Sequence, residues 1–146
     1  MNEINTEILI NSPKKIIWEI LTDFPAYSEW NPFLIKVIGE ASPNNNIFFV
    51  AKSDGVVLPV FANILEYEFE KKFSWGGPPF HWFRNVFGAE HFFIIEEISP
   101  TQCRFRNNER MEGMFADAIW GLIEKMEPAY HKMNQALKER AEAIKH

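Results

Sequence analysis

Apolar and polar residues alternate from the start of the chain. Ile4, Ile8 and Ile10 share one parity with Thr6, the period of two expected of a strand with one buried face. The period then changes. After Ser12 and Pro13, a suitable N-cap and first helical residue, Ile16, Ile17, Ile20 and Leu21 form a stripe at helical spacing, with Trp18 off its centre. This predicts a helix ending near Asp23. The stretch "PAYSEW" predicts one short helical turn that Pro32 ends, because the residue before a proline avoids the α region. Extended segments are predicted at Leu34 to Glu40, in "IFFVAK", through "VVLPVFANILEYEFE", in "KKFSWGG", and as a hairpin formed by "AEHFFIIEEI" and "QCRFRNNERME". Pro59 suggests an edge position or a bulge in its strand. The aromatic stretch "GPPFHWFRNVFG" has no clear period and reads as a loop. Residues 114–144 read as one long helix, with Ile119, Leu122, Met126, Tyr130, Met133 and Leu137 at helical spacing and a kink at Pro128. Strands in one consecutive antiparallel-like series, with helices before and after, predict an α+β fold with helices on one side of a sheet.

Composition adds one strong signal. The 146 residues fit one domain and are 47% hydrophobic and 15% aromatic, with 14 Phe and 5 Trp. Two readings follow: a solid Phe-rich core, or an aromatic-walled cavity, since ligand pockets are mostly apolar with a few placed polar groups. The formal net charge of −5, with basic residues interleaved among acidic ones, argues against nucleic acid and anionic membrane as partners. No apolar run approaches a membrane span, and the N-terminus does not read as a signal peptide. The single cysteine, Cys103, allows no internal disulfide and suits a reducing compartment, so a cytoplasmic protein is expected.

Four stretches in this order and spacing resemble one family. They are "INSPKKIIWEILTDFPAYSEWNPF", "FSWGG", "AEHFFIIEEISPTQCRFRNNERMEG" and "MNQALKERAE". Together they resemble the START-like superfamily, also called SRPBCC, and within it the polyketide cyclase/dehydrase-like bacterial proteins. The resemblance covers essentially the whole chain, so residues 1–146 are expected to form a single START-like domain. It implies a helix-grip fold, in which a curved seven-stranded antiparallel sheet wraps around a long C-terminal helix and two short helices close one end. It also implies an apolar cavity between sheet and helix, and no cofactor. The family's functions include lipid and hormone binding, lipid transfer, polyketide cyclisation and cochaperone action, so fold alone does not choose among them.

Candidate chemistry lies on two strands. His91 shares parity with Phe93 and Ile95, and the resemblance favours the concave face for it. On the next strand Phe105, Asn107, Glu109 and Met111 share a parity opposite to that of Arg104, Arg106 and Arg110, which places Asn107 and Glu109 inward. Adjacent strands can bring either of them to His91. A His–carboxylate pair there either polarises a carbonyl or moves a proton, or is a satisfied structural pair. Phe61 and Asn63 share a parity with Leu65 and Tyr67 and are candidates for the wall, as is Trp75. Trp30 and Phe33, in "WNPF", are candidates for its end wall, and Leu122 and Met126 for the helix side. Met114 and Met133 join Met126 as adaptable thioethers. The histidines and the lone cysteine have no metal-ligand spacing.

The first expectation is a protein that binds a small hydrophobic, lipid- or polyketide-like ligand and is not an enzyme. The second is a cyclase or dehydratase that moves protons with His91 and Glu109. The third is an interaction or cochaperone-like module, or a homodimer, which uses the aromatic loop 78–87 as an interface rather than a lid.

Overall fold

The structure, a computed structural model, describes residues 2–77, 88–114 and 116–144. In chain order the elements are β1 (Asn2–Ile10), α1 (Lys14–Thr22), a 3-10 turn (Phe24–Ala26), α2 (Tyr27–Trp30), β2 (Leu34–Ile38), β3 (Asn46–Ser53), β4 (Val56–Glu68), β5 (Lys72–Gly77), β6 (Gly88–Ser99), β7 (Gln102–Glu112), α3 (Ala116–Glu124) and α4 (Glu127–Glu142). All seven strands form one antiparallel sheet in the order β1-β7-β6-β5-β4-β3-β2. The first and second strands of the chain are therefore its two edges, and α1, the 3-10 turn and α2 connect them. Helix α4 lies against β1 and β7 and touches α1 and α2. This is the α+β helix-grip arrangement, a curled sheet around a C-terminal helix with short helices at one end.

The alternation read from the sequence holds on most strands. Ile4, Thr6 and Ile10 are buried on β1, and Cys103, Phe105, Asn107, Glu109 and Met111 on β7. On β6 the buried set is His91, Phe93 and Ile95.

Strand β4 departs from it. The expected inward set of Phe61, Asn63 and Leu65 gives way to Ala62 and Ile64. A register shift against β5 between Ile64 and Glu66 explains this, because one irregular residue exchanges the faces on its two sides. Tyr67 lies beyond the shift and turns inward onto Trp18, while Phe61, 69% exposed, packs across the outer face on Phe48. Pro59 pairs only with Val50 of β3, in the half of β4 that β5 does not reach. Among the described residues this part of β4 is thus unpaired on one side, a place where a strand tolerates proline.

The helices differ from expectation in three places. Ser12 makes no side-chain cap for α1; Pro13 occupies the N-cap position instead. Trp18 is buried, not peripheral, because Tyr67, Phe69 and Phe73 surround its ring edge-on at 5.6, 6.0 and 5.8 Å. The long helix is not continuous from residue 114. Pro128 has no N–H for the carbonyl of Glu124, so α3 stops there and α4 restarts at Glu127, with the proline in its first turn where that N–H is not needed. Met114 stands outside both helices and is 76% exposed, which removes it from the pocket wall. The aromatic loop 78–87, expected to be a lid or an interface, lies outside the described residues.

The corner "WNPF" is built by Asn31. Its Oδ1 accepts hydrogen bonds from the backbone N–H of Phe33 (2.9 Å) and of Leu34 (2.8 Å). This side-chain turn starts β2 and sets Phe33 facing inward. Tyr27 secures the same corner from the other side, donating its hydroxyl to the carbonyl of Leu21 near the end of α1. Replacing Asn31 by alanine leaves two buried N–H groups without an acceptor, and we expect a loss of about 1–3 kcal/mol or more in stability. Urea unfolding with an unchanged m-value checks it; a midpoint within error of the parent rules out this role for Asn31.

Candidate functional site

The β6–β7 register sets His91 directly opposite Glu109, and Phe93 opposite Asn107. Cross-strand neighbours on one face touch, so this register alone brings the two titratable groups together. His91 Nδ1 lies 3.1 Å from Glu109 Oε2. On its other side His91 Nε2 meets Asn107 Oδ1. From α4, Tyr130 donates its hydroxyl to Glu109 Oε2 at 3.4 Å, and Asn134 Oδ1 accepts from Asn107 Nδ2 at 2.9 Å. Asn134 Nδ2 then donates to Thr6 Oγ1 on β1 at 2.9 Å, and the Thr6 hydroxyl donates to the Asn107 carbonyl at 2.6 Å. Six side chains from four elements thus form one buried polar chain. Such a network is tolerable in an apolar interior because its members satisfy one another.

Aromatic rings enclose the chain. The His91 ring stacks on Phe93 at 4.4 Å and on Tyr130 at 5.0 Å, and Trp75 and Phe33 stand near it. Phe33 also meets Tyr130 at 4.8 Å.

Beside this cluster is a pocket of about 610 Å³. Its sheet side includes Phe49, Ala51, Ala62 and Trp75; its helix side includes Ile119, Leu122, Ile123 and Met126. Phe33, His91, Glu109 and Tyr130 border it at the polar corner. The described lining contains no lysine or arginine. The described lining is therefore apolar apart from the corner formed by His91, Glu109 and Tyr130.

Of the residues singled out from the sequence, Phe33, Trp75, His91, Glu109, Leu122 and Met126 border the pocket. Phe93, Phe105 and Asn107 are fully buried behind it and belong to the core. Phe61 touches the pocket but turns its ring outward, and Asn63 lies on the outer parity of β4. Trp30 does not border the pocket: its ring packs on Tyr27, and it flanks a groove with Ala136 and Arg140 on α4. The turn made by Asn31 separates the two aromatic rings of "WNPF" in this way. Met133 is buried against Asn107 Nδ2, at 3.5 Å.

Sequence reasoning missed the roles of Thr6, Tyr130 and Asn134. The signal existed: Thr6 interrupts the isoleucines of β1 on their own parity, and Asn134 falls on the stripe of Tyr130, Met133 and Leu137. A polar residue on a buried stripe needs a partner, and here each supplies one for the other.

Two tyrosines and the cysteine have shifted acidities. Burial, reinforced by the neighbouring Glu109 carboxylate, holds the Tyr130 phenol well above its ordinary range. Burial, with Asp23 nearby, does the same for Tyr27. Burial and the approach of Glu97 push the Cys103 thiol up to about 11 against a smaller opposing effect of Lys14, so it is no ready nucleophile.

No protein-family model matches the chain, and no curated protein matches it significantly in sequence. Solved structures do match. A START superfamily protein from Mycobacterium smegmatis superposes with a TM-score of 0.70 at 15% identity, over 99% of this chain and 100% of its own. The chain has the START-like helix-grip fold. The Zhui aromatase/cyclase from Streptomyces sp. R1128 shares this fold with a TM-score of 0.74 at 11% identity, over 96% of this chain and 93% of its own. The di-domain ARO/CYC BexL of the BE-7585A biosynthetic pathway matches with a TM-score of 0.73 at 15% identity over 97% of this chain. The chain spans about half of BexL, 47% of its length. No helix among the described residues is long and apolar enough to cross a membrane.

The raised tyrosines predict a loss of stability at alkaline pH. Above about pH 10 an unfolded chain loses phenolic protons that the folded chain keeps, so stability falls as pH rises. We expect urea midpoints to decline above this pH, and Tyr130→Phe to reduce the slope of that decline. A parallel decline in parent and variant contradicts the assignment.

Proposed function

We propose that the protein binds a small, largely apolar ligand of lipid- or polyketide-like character in the pocket between the sheet and the C-terminal helices. One observation carries this reading: a pocket of about 610 Å³ whose described lining is apolar except for a corner formed by His91, Glu109 and Tyr130. Ligand sites are commonly about 300–1,000 Å³, apolar on most sides and polar at a few points. Apolar walls supply affinity by removing ligand surface from water. The corner orients the ligand, because a hydroxyl or carbonyl that reaches it exchanges water for fixed partners, whereas a hydrocarbon gains nothing there. The presence of aromatase/cyclases and a START superfamily protein among the solved structures of this fold is consistent with such a chamber.

Ala62 lies on the inner face of β4 and borders the pocket. Replacing it by phenylalanine places a ring in the chamber. A naphthalene-type fluorophore is expected to bind the parent protein and to bind Ala62→Phe at least about tenfold more weakly, the equivalent of roughly 1.4 kcal/mol. Circular dichroism of the variant establishes that it remains folded. Equal affinity in the two proteins, or no binding to the parent by a panel of apolar probes, overturns the reading.

A second reading is favoured by the pairing of His91 Nδ1 with Glu109 Oε2 at the pocket wall. We propose that, if the chamber holds a reactive carbonyl compound, this pair moves a proton to or from it in a cyclisation or dehydration. General acid–base groups typically contribute about 10²–10⁴-fold in rate. With a polyketide-like substrate, His91→Ala and Glu109→Gln are each expected to lower kcat by that order while apolar probe binding persists. Turnover that survives both substitutions removes the catalytic reading and leaves the binding one.

A further inference from the structure

We infer that Thr6 and Asn134 are positioning residues that determine which nitrogen of His91 carries hydrogen, and so confine proton exchange by the His91–Glu109 pair to its pocket side. The inference rests on a chain of hydrogen bonds with a fixed starting point. The backbone carbonyl of Asn107 can only accept, so the Thr6 hydroxyl, 2.6 Å away, gives it its one hydrogen. Thr6 Oγ1 is left as an acceptor, and Asn134 must present Nδ2 to it, at 2.9 Å. Asn134 Oδ1 then faces Asn107, which must donate through Nδ2, also at 2.9 Å. Asn107 is thereby obliged to turn Oδ1 toward His91, and His91 Nε2 must carry hydrogen to meet it. Neither amide can be reversed without leaving two acceptors or two donors face to face. An ambiguity that ordinarily attends buried amides and imidazoles is removed by one peptide carbonyl.

The consequence falls on Nδ1. A neutral imidazole with hydrogen on Nε2 has a lone pair on Nδ1, and that atom is 3.1 Å from Glu109 Oε2. A lone pair and a carboxylate repel at this distance. The pair therefore holds one proton between these two atoms, as imidazolium with carboxylate or as imidazole with carboxylic acid. Among the described residues, the titratable groups that face His91 are Glu109 from β7 and Tyr130 from α4, the latter donating to the same Glu109 oxygen. Phe33, Trp75 and Phe93 supply only rings. The Nε2 end is sealed behind Asn107 and Asn134, 0% and 1% exposed, whereas His91 and Glu109 border the pocket. Among the described residues, proton exchange thus has one exit, toward the pocket.

This inference deepens the pocket reading of the same site, but its test uses no ligand, so the two fail separately. The measurement is a long-range ¹H–¹⁵N NMR titration of the histidine side chains of the full chain from about pH 5 to about pH 9, the range in which histidine ordinarily changes charge. The His91 signals are assigned by their absence in His91→Gln. In the parent protein and in Thr6→Ser, which keeps the hydroxyl, Nε2 is expected to keep a protonated, pyrrole-type shift throughout. Thr6→Val and Asn134→Leu free the Asn107 amide to reverse. In these variants the neutral form is expected to carry hydrogen on Nδ1, facing Glu109, with Nε2 moved to the unprotonated, pyridine-type shift. A pyridine-type Nε2 in the parent overturns the inference, as does an unchanged tautomer in folded Thr6→Val and Asn134→Leu. Should either variant fail to fold, the parent and Thr6→Ser spectra still decide.

Discussion

The cost of burying polar groups without partners governs this interior. His91, Asn107, Glu109, Asn134 and Thr6 are each at most 8% exposed, and they sit among aromatic rings. None can be moved alone. A slip of one residue between β6 and β7 would turn His91 away from Glu109 and replace its inward partners with the outward residues Asn108 and Arg110. A rotation of α4 would withdraw Tyr130 and Asn134 together, since they lie four residues apart on one face. Strand β1 is drawn in by the same requirement, because Thr6 closes the chain of bonds that Asn134 begins. The polar chain thus fixes register, helix rotation and edge-strand placement at once, which apolar packing alone specifies less sharply.

Aromatic packing supplies the complementary constraint. Phe24 meets Tyr27, Phe73 and Trp75 at 5.5, 6.0 and 5.9 Å, linking the short helical corner to the middle of the sheet. Trp75 continues the contact to Phe93 and His91. The corner that closes the fold is thereby in direct ring contact with the strand behind the polar chain. A chain rich in Phe and Trp proves to need its rings for two purposes, a solid half around Phe24, Phe73, Phe93 and Phe105, and a hollow half beside Trp75 and Phe49. Packed rings and pocket-lining rings thus occur in different places.

Much of this was legible in the sequence, and the failures have common causes. Period-two patterns on β1 and β7 showed which side chains turn inward, because no irregularity interrupts the residues that carry them; on β6, where Phe92 and Ile94 are apolar too, the family resemblance and not the period pointed His91 inward. Strand β4 misled because its apolar residues occupy both parities and its register shift, between Ile64 and Glu66, leaves no mark of composition. The break before α4 was foreshadowed by Pro128 but fell a few residues earlier, since a proline is best accommodated in a first turn. Trp30 and Phe33 looked equivalent in "WNPF"; the side-chain turn of Asn31 sends one toward α4 and the other to the chamber. Asn134 escaped notice because a single asparagine on a helix stripe acquires meaning only when the strand opposite it is known.

The interruption at Lys125 and Met126 has a mechanical consequence. In an unbroken helix each backbone hydrogen bond hands strain to the next turn, and the rod moves as a whole. Here the Met126 N–H reaches back three residues to the Ile123 carbonyl, at 2.9 Å, so a tighter turn replaces the regular ladder between α3, which borders the pocket, and α4, which carries Tyr130 and Asn134. Ile119, Leu122 and Ile123 thus stand on a different helical segment from the one that holds the polar corner. Pro128 thereby divides one helix into a segment along the pocket and a segment that anchors the polar corner.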